Sequence, residues 1–149
     1  MALARVQISE DKAELVKALR ASDDTTGPFQ TYADVLTFAA ALGFKRKRRS
    51  PLGKFSRKDP DAVLQEQFKN GSIIHLIAII ETQDPKILTN TDECDLLRVQ
   101  IFQEYVNGGL EILQSELNGV VDYSEQILLM LNLAKEQPEA KEFDLTRFL

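Results

Sequence analysis

The chain contains one cysteine, one histidine and no tryptophan in 149 residues. A lone Cys94 excludes an internal disulfide framework, and no set of Cys and His has structural-zinc spacing. No motif asks for a metal or a cofactor. Long apolar runs are also missing. The longest, Ile73 to Ile80, is interrupted by His75 and falls far short of the roughly 20 residues that cross a bilayer. Nor does Met1 to Arg20 have the apolar stretch of a signal peptide, because Arg5, Glu10, Asp11, Lys12 and Glu14 break it up. These absences lead to the expectation of a soluble, cytoplasmic protein with no membrane partner. The length suits one ordinary domain that buries about two-thirds of the unfolded chain's surface. With no repeat of fixed period and no low-complexity linker, residues 1–149 read as a single domain.

What is abundant is charge, and it is unevenly distributed. The formal net charge is -5, yet residues 1–58 hold 12 basic and 6 acidic side chains, while residues 59–149 hold 6 basic and 17 acidic ones. Eight of the 18 basic residues fall within Gly43 to Lys58, namely Lys45, Arg46, Lys47, Arg48, Arg49, Lys54, Arg57 and Lys58, with no acidic residue among them. Such a block repels itself and persists beside a partner of opposite sign. Three partners fit: nucleic-acid phosphates, an anionic membrane surface, or the acidic part of this chain or of a second copy. A membrane would demand an amphipathic helix with apolar anchors, and the block offers only Leu52 and Phe55. Binding of DNA phosphates by those eight residues is the leading expectation. Neutralisation by the protein's own acidic helices is the plainer one.

Periodicity predicts a mainly α fold, a compact multi-helix arrangement with room for one short strand at the N terminus. Leu3, Arg5 and Gln7 alternate with Ala4, Val6 and Ile8, which suits a short strand or an extended lead-in. Ser9, followed by Glu10 and Asp11, is a plausible cap for a helix to about Ala21 with Leu15, Val16 and Leu19 on its stripe. The stretch from Ser22 to Gln30, with Gly27 and Pro28, reads as a loop. Thr31 and Asp34 form a capping pair for a helix carrying Val35, Leu36, Phe38, Ala39 and Leu42, closed by Gly43 in the left-handed position. Asp59-Pro60 reads as another helix start, with Val63, Leu64 and Phe68 buried and Asn70-Gly71 at its end.

The run Ile73 to Ile80 fits a central strand or a buried helix by periodicity alone, and its helical neighbours favour the helix. Ile87 and Leu88, in the loop that follows, are expected in the core. From Asp92 onward, Leu96, Val99, Phe102, Val106, Leu110 and Leu113 recur at helical steps, giving the longest helix, through Leu117. Asn107-Gly108-Gly109 lies inside it. Two adjacent glycines cost about 1 kcal/mol each in a helix interior, so a kink or a close backbone approach is expected there. Asp122 and Glu125 cap a last helix to about Gln137, and the apolar tail from Phe143 to Leu149 is expected to dock.

Four segments resemble, in order, a family of small proteins described as DNA phosphorothioation (dnd) system-associated, the family numbered four in its series. They are RVQISEDKAELVKAL, GPFQTYADVLTFAAALGFKRKRR, IIHLIAIIETQDPKIL and IFQEYVNGGLEIL. Together they cover most of the chain, and none is a mechanistic motif. The resemblance implies a bacterial cytoplasmic protein encoded beside genes that put sulfur into the DNA backbone or act on DNA lacking it. Its implied partners are other phosphorothioation-system proteins, in modification, restriction and defence. It brings no catalytic residues to carry over. It also points to a family-specific backbone feature at Asn107-Gly108-Gly109, with a packing role rather than a chemical one.

The residues themselves offer little to catalysis, and a non-enzymatic accessory role is expected. His75, inside an apolar run, reads as a buried hydrogen-bonded side chain rather than a general base or a ligand. Cys94 lies among Asp92, Glu93 and Asp95, whose charge opposes the thiolate that a nucleophile requires. Glu139-Ala140-Lys141 copies half of a metal-dependent nuclease motif with no strand before it. The N terminus resembles in pattern the ribbon-helix-helix fold, in which Arg5 and Gln7 would face bases from a strand paired across a dimer. The long loop between the first two helices and the placement of the basic block after the second argue against that match. The alternative to DNA binding is a protein-protein adaptor. Its acidic C-terminal part, net -11, would bind a basic partner or the basic block of a second copy, giving a homo-oligomer.

Overall fold

The computed structural model describes residues 3–21, 27–68 and 72–135. Among them are five α-helices: α1 Ala13–Leu19, α2 Tyr32–Lys45, α3 Ser72–Thr82, α4 Asp92–Glu116 and α5 Tyr123–Lys135. Single turns of 3-10 helix occupy Glu10–Lys12, Gln65–Gln67 and Pro85–Leu88. Strand-like pairing among the described residues is confined to isolated bridges. The fold is mainly α, as the apolar periodicity predicts, and the ambiguous Ile73 to Ile80 run is the body of α3.

Local signals set three of the helix starts. Thr31 Oγ1 accepts from the Asp34 N–H at 3.1 Å, Thr91 Oγ1 from the Cys94 N–H at 3.2 Å, and Asp122 Oδ1 from the Glu125 N–H at 3.1 Å. Each satisfies one of the donors that a helix leaves unpaired at its first turn. Ser9 does not act this way. Its hydroxyl donates to Asp11 Oδ1 at 2.5 Å, and the chain enters α1 through the 3-10 turn instead.

Helix α4 is the axis of the fold. Val99, Phe102, Val106, Leu110 and Leu113 are buried along it, and its principal neighbour is α2, which buries Val35, Leu36, Ala39 and Ala40. The two helices approach until backbone meets backbone. A Cβ placed on Gly109 would overlap the Ala39 carbonyl, one on Gly43 would meet the Tyr105 carbonyl and stand 2.9 Å from the Gly109 nitrogen, and one on Gly108 would overlap the Arg48 carbonyl. Close approach is therefore the reason that glycines occupy the middle of a 25-residue helix. All buried apolar residues of α2 and α4 other than Ile112 join one core cluster with Val6, Ile8, Val16, Leu19, Ile74 and Ile77.

Several local expectations change. Gly43 does not end α2 but sits inside it, buried against α4, and the left-handed position falls on Lys47 with φ 55°. Asp59-Pro60 starts no helix. The peptide between them is cis, the Asp59 carboxylate accepts from Tyr32 Oη at 2.6 Å, and Val63 pairs in an antiparallel bridge with Val6, N to O at 2.9 Å in both directions. Val63 and Phe68 are nevertheless buried while Leu64 is half-buried, so two of the three apolar positions are correct and the periodicity assigned to them is not. Ile87 is in the core, whereas Leu88 is exposed. Asn70-Gly71, Glu139-Ala140-Lys141 and the tail from Phe143 to Leu149 lie outside the described residues.

Gly109→Ala is expected to destabilise the protein by about 1–3 kcal/mol despite alanine's better helix propensity, because both colliding groups are backbone and cannot rotate away. Gly53→Ala, with nothing within 4 Å of the new Cβ, is the matched control. Urea midpoints of the two variants against the parent chain check this: a near-neutral G109A would mean that the helices are not in such contact.

Candidate nucleic-acid interface

The basic segment begins where α2 stops. The Lys47 N–H donates to the Phe44 carbonyl at 3.2 Å and the Arg48 N–H to the Gly43 carbonyl at 2.8 Å, the paired bonds of a Schellman ending with Lys47 in the left-handed position. The backbone then crosses α4. Ser50 N–H donates to the Glu104 carbonyl at 3.0 Å, and Asn107 Nδ2 donates to the Ser50 and Pro51 carbonyls at 3.3 and 3.2 Å. Beyond Gly53 it runs beside the N-terminal segment, where Glu10 N–H donates to the Lys54 carbonyl and Ser56 N–H to the Ile8 carbonyl, both at 2.7 Å. The block is thus a rail of main chain fixed at intervals, held by the Asn107 side-chain amide and by the close approach of the Arg48 carbonyl to Gly108.

Its eight cations divide into two groups. Arg49 donates through Nε to Glu104 Oε1 at 2.7 Å and through Nη1 to Glu81 Oε1 at 2.9 Å, and its side chain is 33% exposed. Arg48 donates to Glu111 Oε2 at 3.2 Å and stays 51% exposed. These two tether the segment to α3 and α4. The Arg49 pairs form a network of the kind that outlasts a lone surface ion pair, which is worth about 0–1 kcal/mol. Lys45, Arg46, Lys47, Lys54, Arg57 and Lys58 are exposed, and among the described residues no carboxylate lies within 4.0 Å of any of them.

The Arg49 network extends to Tyr105, whose hydroxyl donates to Glu81 Oε2 at 2.5 Å. That hydrogen bond, followed by the Arg49 contact, holds the Glu81 carboxyl below its usual range against the opposing pull of burial. Burial, followed by the Glu81 carboxylate, pushes the Tyr105 hydroxyl up to about 12. Arg49 itself is held above its ordinary value by Glu104 and Glu81, which outweigh its burial.

Other sequence candidates fall elsewhere. Arg5 is exposed and Gln7 half-buried, but their segment is committed within the chain: Val6 pairs with Val63, the Ala4 N–H donates to Asp95 Oδ2 at 2.7 Å, and the Gln7 N–H donates to Gln103 Oε1 at 3.0 Å. That pairing leaves no free edge at Val6 for the strand of a second copy, as the ribbon-helix-helix pattern would need. His75 is half-buried on α3, and Cys94 donates to the Lys86 carbonyl at 3.4 Å. Among the described residues no group of three or more His, Cys, Asp or Glu is placed to hold a metal ion, and no helix is long and apolar enough to cross a membrane.

Two features escape sequence reasoning. One is a groove of about 840 Å³ that brings Lys17 of α1 beside Lys54, Phe55, Arg57 and Lys58. The other is a polar cleft of about 590 Å³ where Ser9, Asp11 and Lys12 face Asn107 and Glu111. Lys12 is only 4% exposed and pairs with Asp11 at 2.9 Å, while Asn107 Oδ1 and Glu111 Oε1 are buried without a hydrogen-bond partner. No spacing rule joins residues some hundred positions apart. Only the unusual Asn-Gly-Gly inside a helix marks that place in the sequence.

An all-α protein with an exposed cationic segment clamped across its longest helix is the class that the geometry defines. The chain belongs to the family of DNA sulphur modification system-associated protein 4, whose model matches residues 5–148. No curated protein and no solved structure matches it.

The Arg49 network makes stability depend on pH at both ends. Glu81 contributes fully above the ordinary glutamate range and progressively less as pH falls through its lowered value; Tyr105 contributes below about 10 and is lost as pH rises toward about 12. Thermal melts from pH 3 to 7 should show a smaller acid loss in Glu81→Gln than in the parent, and identical acid profiles would remove Glu81 from the account.

Proposed function

We propose that this chain is a non-catalytic accessory protein of the DNA sulphur modification system that grips DNA through its phosphates. The observation that carries the reading is the set of six exposed cations with no acidic partner among the described residues, Lys45, Arg46, Lys47, Lys54, Arg57 and Lys58, on a backbone fixed at both ends. Phosphate contacts of this kind orient a protein on DNA without reading sequence. Arg48 and Arg49 belong to the same segment but serve its shape. Charge complementarity with a polyanion explains why the six stay solvated rather than paired within the fold.

A second reading, an adaptor for another protein of the system or for a second copy, is favoured by α5. Ile127 and Met130 are buried, while Leu128, Leu129, Leu131 and Leu133 are exposed on the same helix. Exposed apolar residues clustered on one element mark protein contact surfaces. Sedimentation at low and high salt separates a leucine contact, which persists in salt, from pairing of the basic block with an acidic copy, which does not.

Six phosphate contacts correspond to a salt slope of about -5.4, each contact adding about 0.9 for duplex DNA. Lys45, Arg46 and Lys47 replaced together by alanine, or Lys54, Arg57 and Lys58 replaced together, should each flatten the slope by about 2.7 in an anisotropy titration. Unchanged slopes in both triple variants would transfer the function to the adaptor reading.

A further inference from the structure

The groove beside α1 holds an aromatic side chain that the core does not use. Phe29 pairs with Phe38, Phe44 with Tyr105 and Phe68 with Phe102, whereas Phe55 is 40% exposed and is the one exposed aromatic residue among those described. It is not there through looseness of the chain. The bonds from Glu10 N–H to the Lys54 carbonyl and from Ser56 N–H to the Ile8 carbonyl bracket it, with an antiparallel bridge to Ser9 at Phe55 itself, so its ring projects from an anchored backbone. Around it, within the same groove, stand Lys17, Lys54, Arg57 and Lys58. Glu10, Glu14 and Asp59 also line the groove, which gives it a negative side. Asp59 is already engaged by the Tyr32 hydroxyl at 2.6 Å.

A flat π surface among cations is the combination that holds unpaired nucleotides: phosphates lie along the positive groups and a base stacks on the ring. A duplex supplies the phosphates but keeps its base faces stacked on one another. We propose that this groove binds single-stranded nucleic acid, or a strand opened within a duplex, with a base stacked on Phe55. This rests on the phosphate-binding reading and adds to it the form of nucleic acid that is preferred. A π surface is required, rather than apolar bulk alone, because every base presents a face to stack and none needs an alkyl pocket.

The two parts of the contact respond differently to salt. Cation contacts release counterions and set the slope of affinity against salt, about 0.7 per contact on a single strand, whereas stacking displaces no ion. Phe55→Leu in the full-length chain should lower affinity for a fluorescein-labelled single-stranded oligonucleotide by about fivefold to a hundredfold, at every salt concentration, with the slope unchanged. Its affinity for the duplex of the same sequence should not move. Phe55→Trp should retain single-strand affinity, and because the sequence has no other tryptophan, its emission reports directly on the ring. Quenching by the single strand and not by the duplex is the expected result. If single-strand binding keeps its salt slope while F55L binds as tightly as the parent and F55W is unquenched, stacking is overturned and the phosphate reading stands. If neither form of DNA binds the parent with a measurable slope, both readings fall together.

Discussion

The contact on which the remaining structure depends is the backbone-to-backbone approach of α2 and α4. With Ala39 and Gly43 on one side and Gly109 on the other, no side chain separates the helices. The same approach decides what happens next in the chain. Because α2 ends close against α4, the Arg48 carbonyl just beyond it is delivered to the surface of α4, where Gly108 leaves room for the crossing and Asn107 donates to the Ser50 and Pro51 carbonyls. A segment carrying eight cations would otherwise spread as a solvated loop. Here the main chain is held down, and the side chains that the fold does not need are directed into solvent.

That division of labour among the cations follows from geometry. Arg49 reaches acidic groups on two helices with a planar fork that donates in two directions, a task that a lysine ammonium performs less well. Arg48 makes a single pair at the surface. Lysines and arginines at positions 45, 46, 47, 54, 57 and 58 are exposed and, among the described residues, form no ion pair with those acids. Among the described residues, the acidic half of the chain thus pairs only with the two arginines of the basic block that double as a structural clamp.

Much of the architecture is legible in the sequence where a local rule acts alone. Thr31 with Asp34 and Asp122 with Glu125 mark helix starts because the capping bond spans three residues and needs nothing from the tertiary structure. The glycine pair at 108 and 109 announces close approach, although not which backbone comes near. Rules fail where a distant partner intervenes. Gly43 satisfies the pattern of a helix stop, yet a neighbouring helix uses its missing side chain, and a lysine takes the left-handed turn. Asp59 has the chemistry of a cap but is claimed by the Tyr32 hydroxyl, and Val63 follows its partner Val6 into extended pairing. Lys17 and Phe55 share a groove although 38 positions separate them, which no periodicity encodes.

The Arg49 clamp also limits how the surface can respond to a ligand. The guanidinium separates two carboxylates, each within 3 Å of one of its nitrogens. A phosphate that drew Arg49 outward would leave Glu81 and Glu104 facing each other with their mutual repulsion uncompensated. Recruiting Arg49 therefore carries an electrostatic penalty that the six outward cations escape. The segment is a preformed edge, its main chain held against α4 and the N-terminal segment while its exposed side chains are free of that clamp.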